Sequence, residues 1–203
     1  MIELHFSFII PVYNRPDEIQ ELLESLSELE DTFEVIIVED GSENTCEQIV
    51  KSYEDQLNIV YFFKNNTGPG DSRNYGMSKA KGNYFIILDS DVIVPKGYLT
   101  AVREALHFKF LDCYGGSDRA LDSFSSTQKA IDYAMTSILT TGGIRGTVQS
   151  KVSRSYEPRS FNMGISKSAF LESKGFGKIH PGEDPDLSIR LKALGFKVGY
   201  ISG

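Results

Sequence analysis

The chain of 203 residues holds only two cysteines, Cys46 and Cys113, far apart and without C-x-x-C spacing. That scarcity excludes a disulfide framework and a structural zinc, and leaves free thiols of a cytoplasmic protein as the simplest reading. Histidine is equally sparse. His5, His107 and His180 share no H-E-x-x-H spacing, so no histidine metal centre is spelled out. No run approaches the roughly 18 apolar residues of a membrane span, and Met1 leads into a short apolar strand beside acidic and His residues rather than into a secretory signal. Basic residues are outnumbered, 21 Lys and Arg against 28 Asp and Glu, for a net charge of −7. That balance argues against a nucleic-acid partner, and it makes any anionic substrate dependent on a local cation. Neither G-x-G-x-x-G nor a Walker A run occurs, and there is no internal repeat or low-complexity segment.

What is present is the composition of a soluble globular protein, 40% hydrophobic and 24% charged. The length suits one large α/β domain or two small ones with a substantial core. Short apolar runs at Phe6–Ile10, Glu34–Val38, Asn58–Phe63 and Tyr84–Leu88 read as strands. Between them lie helical patterns. Pro16 opens the first, with Asp17 and Glu18 in its first turn and Ile19, Leu22, Leu23, Leu26 and Leu29 at helical spacing. The next helices are expected over Glu43–Tyr53, Asp71–Ala80 and Pro95–Leu106. Strands alternating with helices require right-handed parallel crossovers and a doubly wound sheet. From about Gly115 the pattern changes. Ser117–Thr127 is polar and irregular, Gln128–Leu139 reads as an amphipathic helix, and basic and hydroxyl residues run from Lys151 to Arg159. A strand at Phe161–Ile165, helices at Lys167–Ser173 and Pro185–Leu194, and a strand at Lys197–Ile201 follow.

Polar residues gather where strands end. Pro11-Val12-Tyr13-Asn14 follows the first strand, Glu39-Asp40-Gly41-Ser42 the second, and Asp89-Ser90-Asp91 the fourth, while Gly68–Asn74 opens the third helix. Each alone also reads as a turn or a loop. Parallel strands, however, bring their carboxyl ends to one edge, where open α/β sheets bind ligands. There Asp40 can accept the imide N–H of a uracil or the ring donors of another base. Tyr13 offers a stacking face or a half-buried structural ring, and Arg73 can pair with a diphosphate or with Asp40 itself. Asp91 suits Mg²⁺ or Mn²⁺ bridging two phosphates, with Asp89 holding the ribose or supporting the ion. In Gly182-Glu183-Asp184-Pro185-Asp186, Pro185 fits the first helical position and Asp184 the N-cap. Backbone N–H groups at a helix start would keep Asp184 ionised, as a general base requires. His180 either borders the site or is a loop histidine.

These segments, in this order from residue 6 to about 200, closely resemble the family-2 glycosyltransferases of GT-A fold. The matching runs are Ser7–Asn14, Val38–Ser42, Ser72–Gly76, Leu88–Asp91 and Gly182–Leu187. The resemblance implies a Rossmann-like, mostly parallel sheet flanked by helices. It also implies inverting transfer of a sugar from a nucleotide-diphosphate donor, such as a UDP-sugar, to an acceptor hydroxyl in glycan synthesis. Carried over by position, Asp40 resembles the base-recognising acid and Asp91, with Asp89, the ligands of Mn²⁺ or Mg²⁺. Asp89 also resembles the nucleotide-side acid, and Asp184 the catalytic base. Pro11, Tyr13, Asn14 and Arg73 complete the donor side. Two departures stand out: Val92 replaces the last acid of D-S-D-D, and Glu39 the first of D-D-G-S.

One continuous domain over residues 1–203 is therefore expected, with a nucleotide-binding half at 1–114 and an acceptor-binding half at 115–203, cut short at the C-terminus. Relatives often carry a further histidine and membrane helices downstream, so the full-length protein is expected at the inner membrane face. Arg145, Lys151 and Arg154 would suit a glycan or lipid-linked acceptor bearing phosphate, or form a solvated loop. Two other functions remain open at this point: a sugar-phosphate nucleotidyltransferase, which would want a Gly-rich basic signature after the first strand, and a non-catalytic nucleotide-sugar-binding domain.

Overall fold

The computed structural model describes residues 3–116, 157–179 and 181–201. The expected helix at 128–139, the basic segment with Arg145, Lys151 and Arg154, and His180 lie outside the described residues.

Among the described residues, strand β1 (Phe6–Val12) is an interior strand, third of seven in one sheet. It pairs in parallel with β2 (Phe33–Asp40) on one side and with β4 (Tyr84–Leu88) on the other, and β3 (Ile59–Lys64) pairs in parallel with β2. Alternate residues sort to opposite faces, as the period of two demands. Phe6, Phe8, Ile10, Val35, Ile37, Tyr84 and Ile86 join one core cluster, and Ile9, Ile36, Val38, Phe85 and Ile87 the other. Because helices cover both faces, these strands are largely apolar rather than alternating with polar residues, and the buried Ser7 Oγ donates to Glu34 across β1 and β2. Helices α1 (Pro16–Ser27), α2 (Glu47–Lys51) and α4 (Tyr98–Phe108) pack against the first face. Helices α3 (Pro69–Lys79), α5 (Lys167–Ser173) and α6 (Glu183–Ala193) pack against the second.

The remainder of the sheet departs from the parallel winding of its first half. Strand β6 (Asn162–Ser166) runs antiparallel between β4 and β5 (Cys113–Gly116), and β7 (Val198–Ile201) closes the edge in parallel with β5. The strand order is thus β3-β2-β1-β4-β6-β5-β7. Strand β5 escapes sequence reading because its four residues, Cys-Tyr-Gly-Gly, show no apolar run.

Three boundaries move for physical reasons. Strand β1 does not stop at Pro11. Beyond Ile9 it has lost its β4 partner and pairs only with β2, so a residue without an N–H is tolerated there. Helix α2 begins at Glu47 rather than at Glu43, because the N–H groups of Glu43, Asn44 and Cys46 are taken by Asn14 and Glu39. Helix α4 starts at Tyr98 after a turn in which the Tyr98 N–H bonds the Pro95 carbonyl. Both cysteines are buried, free thiols, and burial pushes each well above the ordinary thiol range. Among the described residues, no helix is long and apolar enough to cross a membrane.

Candidate active site

The carboxyl ends of β1, β2 and β4 and the start of α3 enclose a cleft of about 390 Å³. Its walls include Pro11, Tyr13, Arg15, Asp40, Gly68, Arg73, Asp89 and Asp91. Four separate segments therefore converge as the strand-end reading requires. Tyr13 is 52% exposed and presents its ring on the wall.

Each acid of the cleft meets a cation. Asp40 is 4% exposed. Its Oδ1 accepts from Lys64 Nζ at 2.5 Å and from the Thr67 N–H at 3.0 Å, and its Oδ2 accepts from the Gly68 N–H at 2.9 Å. Gly68 can offer that N–H because its φ of 93° is open to glycine. Arg73 pairs with Asp89 rather than with Asp40, Nη2 to Oδ1 at 3.0 Å, and its Nη1 lies 3.5 Å from Glu183. Its guanidinium stands 5.4 Å from the Phe176 ring centroid, a cation–π contact, and is only 5% exposed. Asp91 pairs with Arg15, Nη1 to Oδ2 at 2.6 Å.

Asn14 is a strut rather than a wall. Its side-chain oxygen accepts from the N–H groups of Glu43 and Asn44 at 2.8 and 3.1 Å, and its own N–H donates to Ser42 Oγ at 2.8 Å. This ties the loop after β1 to the loop after β2. Glu39, which stands where many relatives have a first acid, is fully buried and supports the same loop. It accepts from Ser42 Oγ, from the Cys46 N–H at 2.9 Å and from Cys46 Sγ at 3.0 Å. Val92 packs against the core cluster, so the position of the absent last acid has become part of the hydrophobic support.

Helix α6 corrects two expectations about Asp184. Its N-cap is Gly182, with φ 125°, and Asp184 lies inside the first turn. Pro185 is tolerated one residue further on because first-turn N–H groups have no intrahelical acceptor. Asp184 Oδ2 accepts from the Ser160 N–H at 3.1 Å and Ser160 Oγ at 3.2 Å, while Oδ1 is buried without a hydrogen-bond partner. Burial raises its carboxyl above the usual aspartate range; the two Ser160 bonds and the Arg73 charge oppose that rise without cancelling it. The shift thus runs opposite to the one expected of a carboxylate at a helix start. Asp184 is not part of the cleft wall. Its neighbour Glu183 links it to the cleft through Arg73.

Two partners of the cleft acids were missed from sequence. Lys64 sits directly beside Asp40 in the β2–β3 register, so the strand-end argument applied to β3 would have found it. Arg15 follows Asn14 immediately and carried no signal of its own, since its partner is 76 residues away.

The sequence model of the family described as "Glycosyl transferase family 2" matches residues 7–169. A poly(ribitol-phosphate) beta-N-acetylglucosaminyltransferase, TarS of Staphylococcus aureus, is 37% identical over 98 residues, 46% of this chain and 17% of that protein. Among solved structures, S. aureus TarS 1–349 in complex with UDP-GlcNAc superposes with a TM-score of 0.73 at 22% identity, covering 98% of this chain and 59% of that one. The mannosyltransferase PcManGT of Pyrobaculum calidifontis, in complex with GDP-Man and Mn²⁺, gives a TM-score of 0.74 at 14% identity, covering 100% of this chain and 57% of that one. The chain thus spans less than two thirds of each of these proteins, and the structural likenesses establish the GT-A fold.

Proposed function

Because the chain belongs to glycosyl transferase family 2, we propose that it transfers a sugar, with inversion, from a UDP-sugar to a hydroxyl of a glycan or lipid-linked acceptor, aided by Mn²⁺ or Mg²⁺. The observation that carries this reading is the convergence of Asp40, Arg73, Asp89 and Asp91 on one strand-end cleft, with Asp184 one residue from the Glu183 that contacts Arg73.

Asp40 is the base-recognising acid. It sits deep and fixed, so a nucleobase N–H can complete its hydrogen bonding while the Tyr13 ring covers a base face. Asp91 and Asp89 fit a divalent ion, since Mg²⁺-type sites use one or two carboxylates together with substrate phosphates. Asp91 Oδ1 and Asp89 Oδ2 lie outside the pairs with arginine. When bound, the ion supplies neutralisation of charge on the departing diphosphate. Asp184 accepts the proton of the acceptor hydroxyl as its oxygen bonds the anomeric carbon. The bond from that carbon to the diphosphate oxygen breaks on the opposite side, and the diphosphate leaves with the electron pair. The TarS name, which specifies poly(ribitol-phosphate), supports a phosphate-bearing acceptor.

Thermal stabilisation by a nucleotide panel tests the donor assignment. A ligand at a hundredfold excess over its Kd adds about 2.7 kcal/mol, which for a chain of this size raises Tm by roughly 5–10 °C. UDP-sugars with Mn²⁺ should give that shift and Asp40→Ala should lose it. A flat response to every nucleoside diphosphate would end the proposal.

The raised Asp184 carboxyl has a kinetic consequence. The base must be ionised, so kcat/KM should climb with pH through an apparent pKa above the usual aspartate value. Ser160 Oγ donates to the ionised form, so Ser160→Ala should move that limb to still higher pH. A limb at the ordinary aspartate position, or one indifferent to Ser160, would remove Asp184 from the base role.

A further inference from the structure

Three acids of the cleft each hold a cation, but only one of those cations is free to leave. Lys64 (13% exposed) and Arg73 (6%) are themselves enclosed, although Asp89 beside Arg73 is 40% exposed, whereas both side chains of the Arg15–Asp91 pair are open, at 47% and 49%. The mount of Arg15 is rigid even though its tip is not. Asn14 before it is held at φ 53° by its bonds to the next loop, and Pro16 after it excludes the helical region, leaving Arg15 at φ −136°. A long guanidinium on a fixed Cα at the cleft wall can exchange one oxyanion for another at small cost, since exposed ion pairs are weak.

We propose that Arg15 is a diphosphate-binding residue that rests on Asp91 in the empty cleft and passes to the donor's diphosphate when a divalent cation takes Asp91, making cation and donor bind cooperatively. The inference rests on the metal and donor assignments above. Its logic is competition. Arg15 holds one oxygen of the carboxylate that the cation needs and offsets its charge, and Asp91 occupies the guanidinium that the diphosphate needs. Each ligand removes the other's competitor, so each must strengthen the other by the same factor. The planar fork of arginine suits a phosphate as well as a carboxylate, and it stays charged at every working pH.

Titrations of the whole chain with Mn²⁺ alone, with UDP alone, and with UDP at saturating Mn²⁺ separate the outcomes. Arg15→Gln should bind Mn²⁺ alone about two- to fivefold more tightly, the range an exposed ion pair spans. It should bind UDP in Mn²⁺ about tenfold more weakly, and the factor by which UDP strengthens Mn²⁺ should shrink. Arg15→Lys should fall between, since it keeps the charge but loses the fork. Unchanged or weaker Mn²⁺ binding by Arg15→Gln, or unchanged UDP binding, overturns the proposal. A wild-type chain that binds no Mn²⁺, or Asp91→Asn that binds it equally, instead removes the metal assignment and this inference together.

Discussion

Asp184→Asn is expected to slow sugar transfer by about 10²- to 10⁴-fold, the usual contribution of a general base, while UDP affinity stays unchanged. The expectation follows from position. Asp184 is outside the cleft wall, and reaches it through Glu183 and Arg73. Asparagine keeps the shape and the Oδ acceptor for Ser160, so the loss is confined to proton acceptance. The same change should leave the protein as stable or more so at neutral pH. A carboxyl whose folded pKa is raised stabilises the fold fully only below its unfolded pKa, and that contribution is lost as pH rises through the folded value. The melting-temperature gap between Asp184→Asn and wild type should therefore widen from acid to neutral pH. A turnover assay beside UDP titration decides the first point. Normal turnover by Asp184→Asn would remove Asp184 from the base role, and weakened UDP binding would place it on the donor side; a wild-type chain that binds UDP without turnover would leave a nucleotide-sugar-binding module.

Gly164→Ala should destabilise the fold by about 1–3 kcal/mol, the range for overpacked cores, or roughly 3–10 °C in Tm. Gly164 lies opposite Tyr114 in the β5–β6 register. A Cβ there would stand 1.9 Å from Tyr114 Cε1 and 2.5 Å from Cδ1. The ring has nowhere to go: it is fully buried, stacks on Tyr84 at 6.1 Å between centroids, and its hydroxyl meets that of Tyr98 at 3.2 Å. In a cycle with Tyr114→Ala the two changes should cost less together than their sum, because the second removes the clash. Equal melting of Gly164→Ala and wild type would mean that the Tyr114 ring does not lie over Gly164.

Much of the fold was legible because its first half is locally consistent. Runs such as Phe6–Ile10 and Tyr84–Leu88, separated by Leu-rich helical spacings, leave few windings that bury every strand on both faces. Helix α5 was read to the residue because Ser166 caps it, its side chain accepting from the Ala169 N–H at 3.2 Å. The second half was less legible. Strand β5 carries two glycines in four residues, and its identity depends on the Tyr114 ring lying over Gly164. The antiparallel course of β6 follows from its neighbours rather than from its own composition.

The site divides along the same line. Which acids stand at strand ends is a local fact, so Asp40, Asp89 and Asp91 could be named from sequence, and Pro11, Tyr13 and Arg73 with them. Their partners are not local. Arg15 finds Asp91, Lys64 finds Asp40, and Arg73 chooses Asp89 and Glu183 over Asp40 only once the strands are in register. Asn14, expected at the donor, is instead spent on holding a neighbouring loop. The pKa of Asp184 moves up rather than down, because burial is a property of the packed molecule and outweighs the hydrogen bonds that Ser160 offers. Sequence by itself determined the family, the parallel core and the acids at its edge, since strand period, helix spacing and strand-end chemistry are all written in neighbouring residues. Only the tertiary structure decided which cation each acid holds and how far each carboxyl is removed from water, because ion pairing and desolvation depend on residues distant in the chain and near in space.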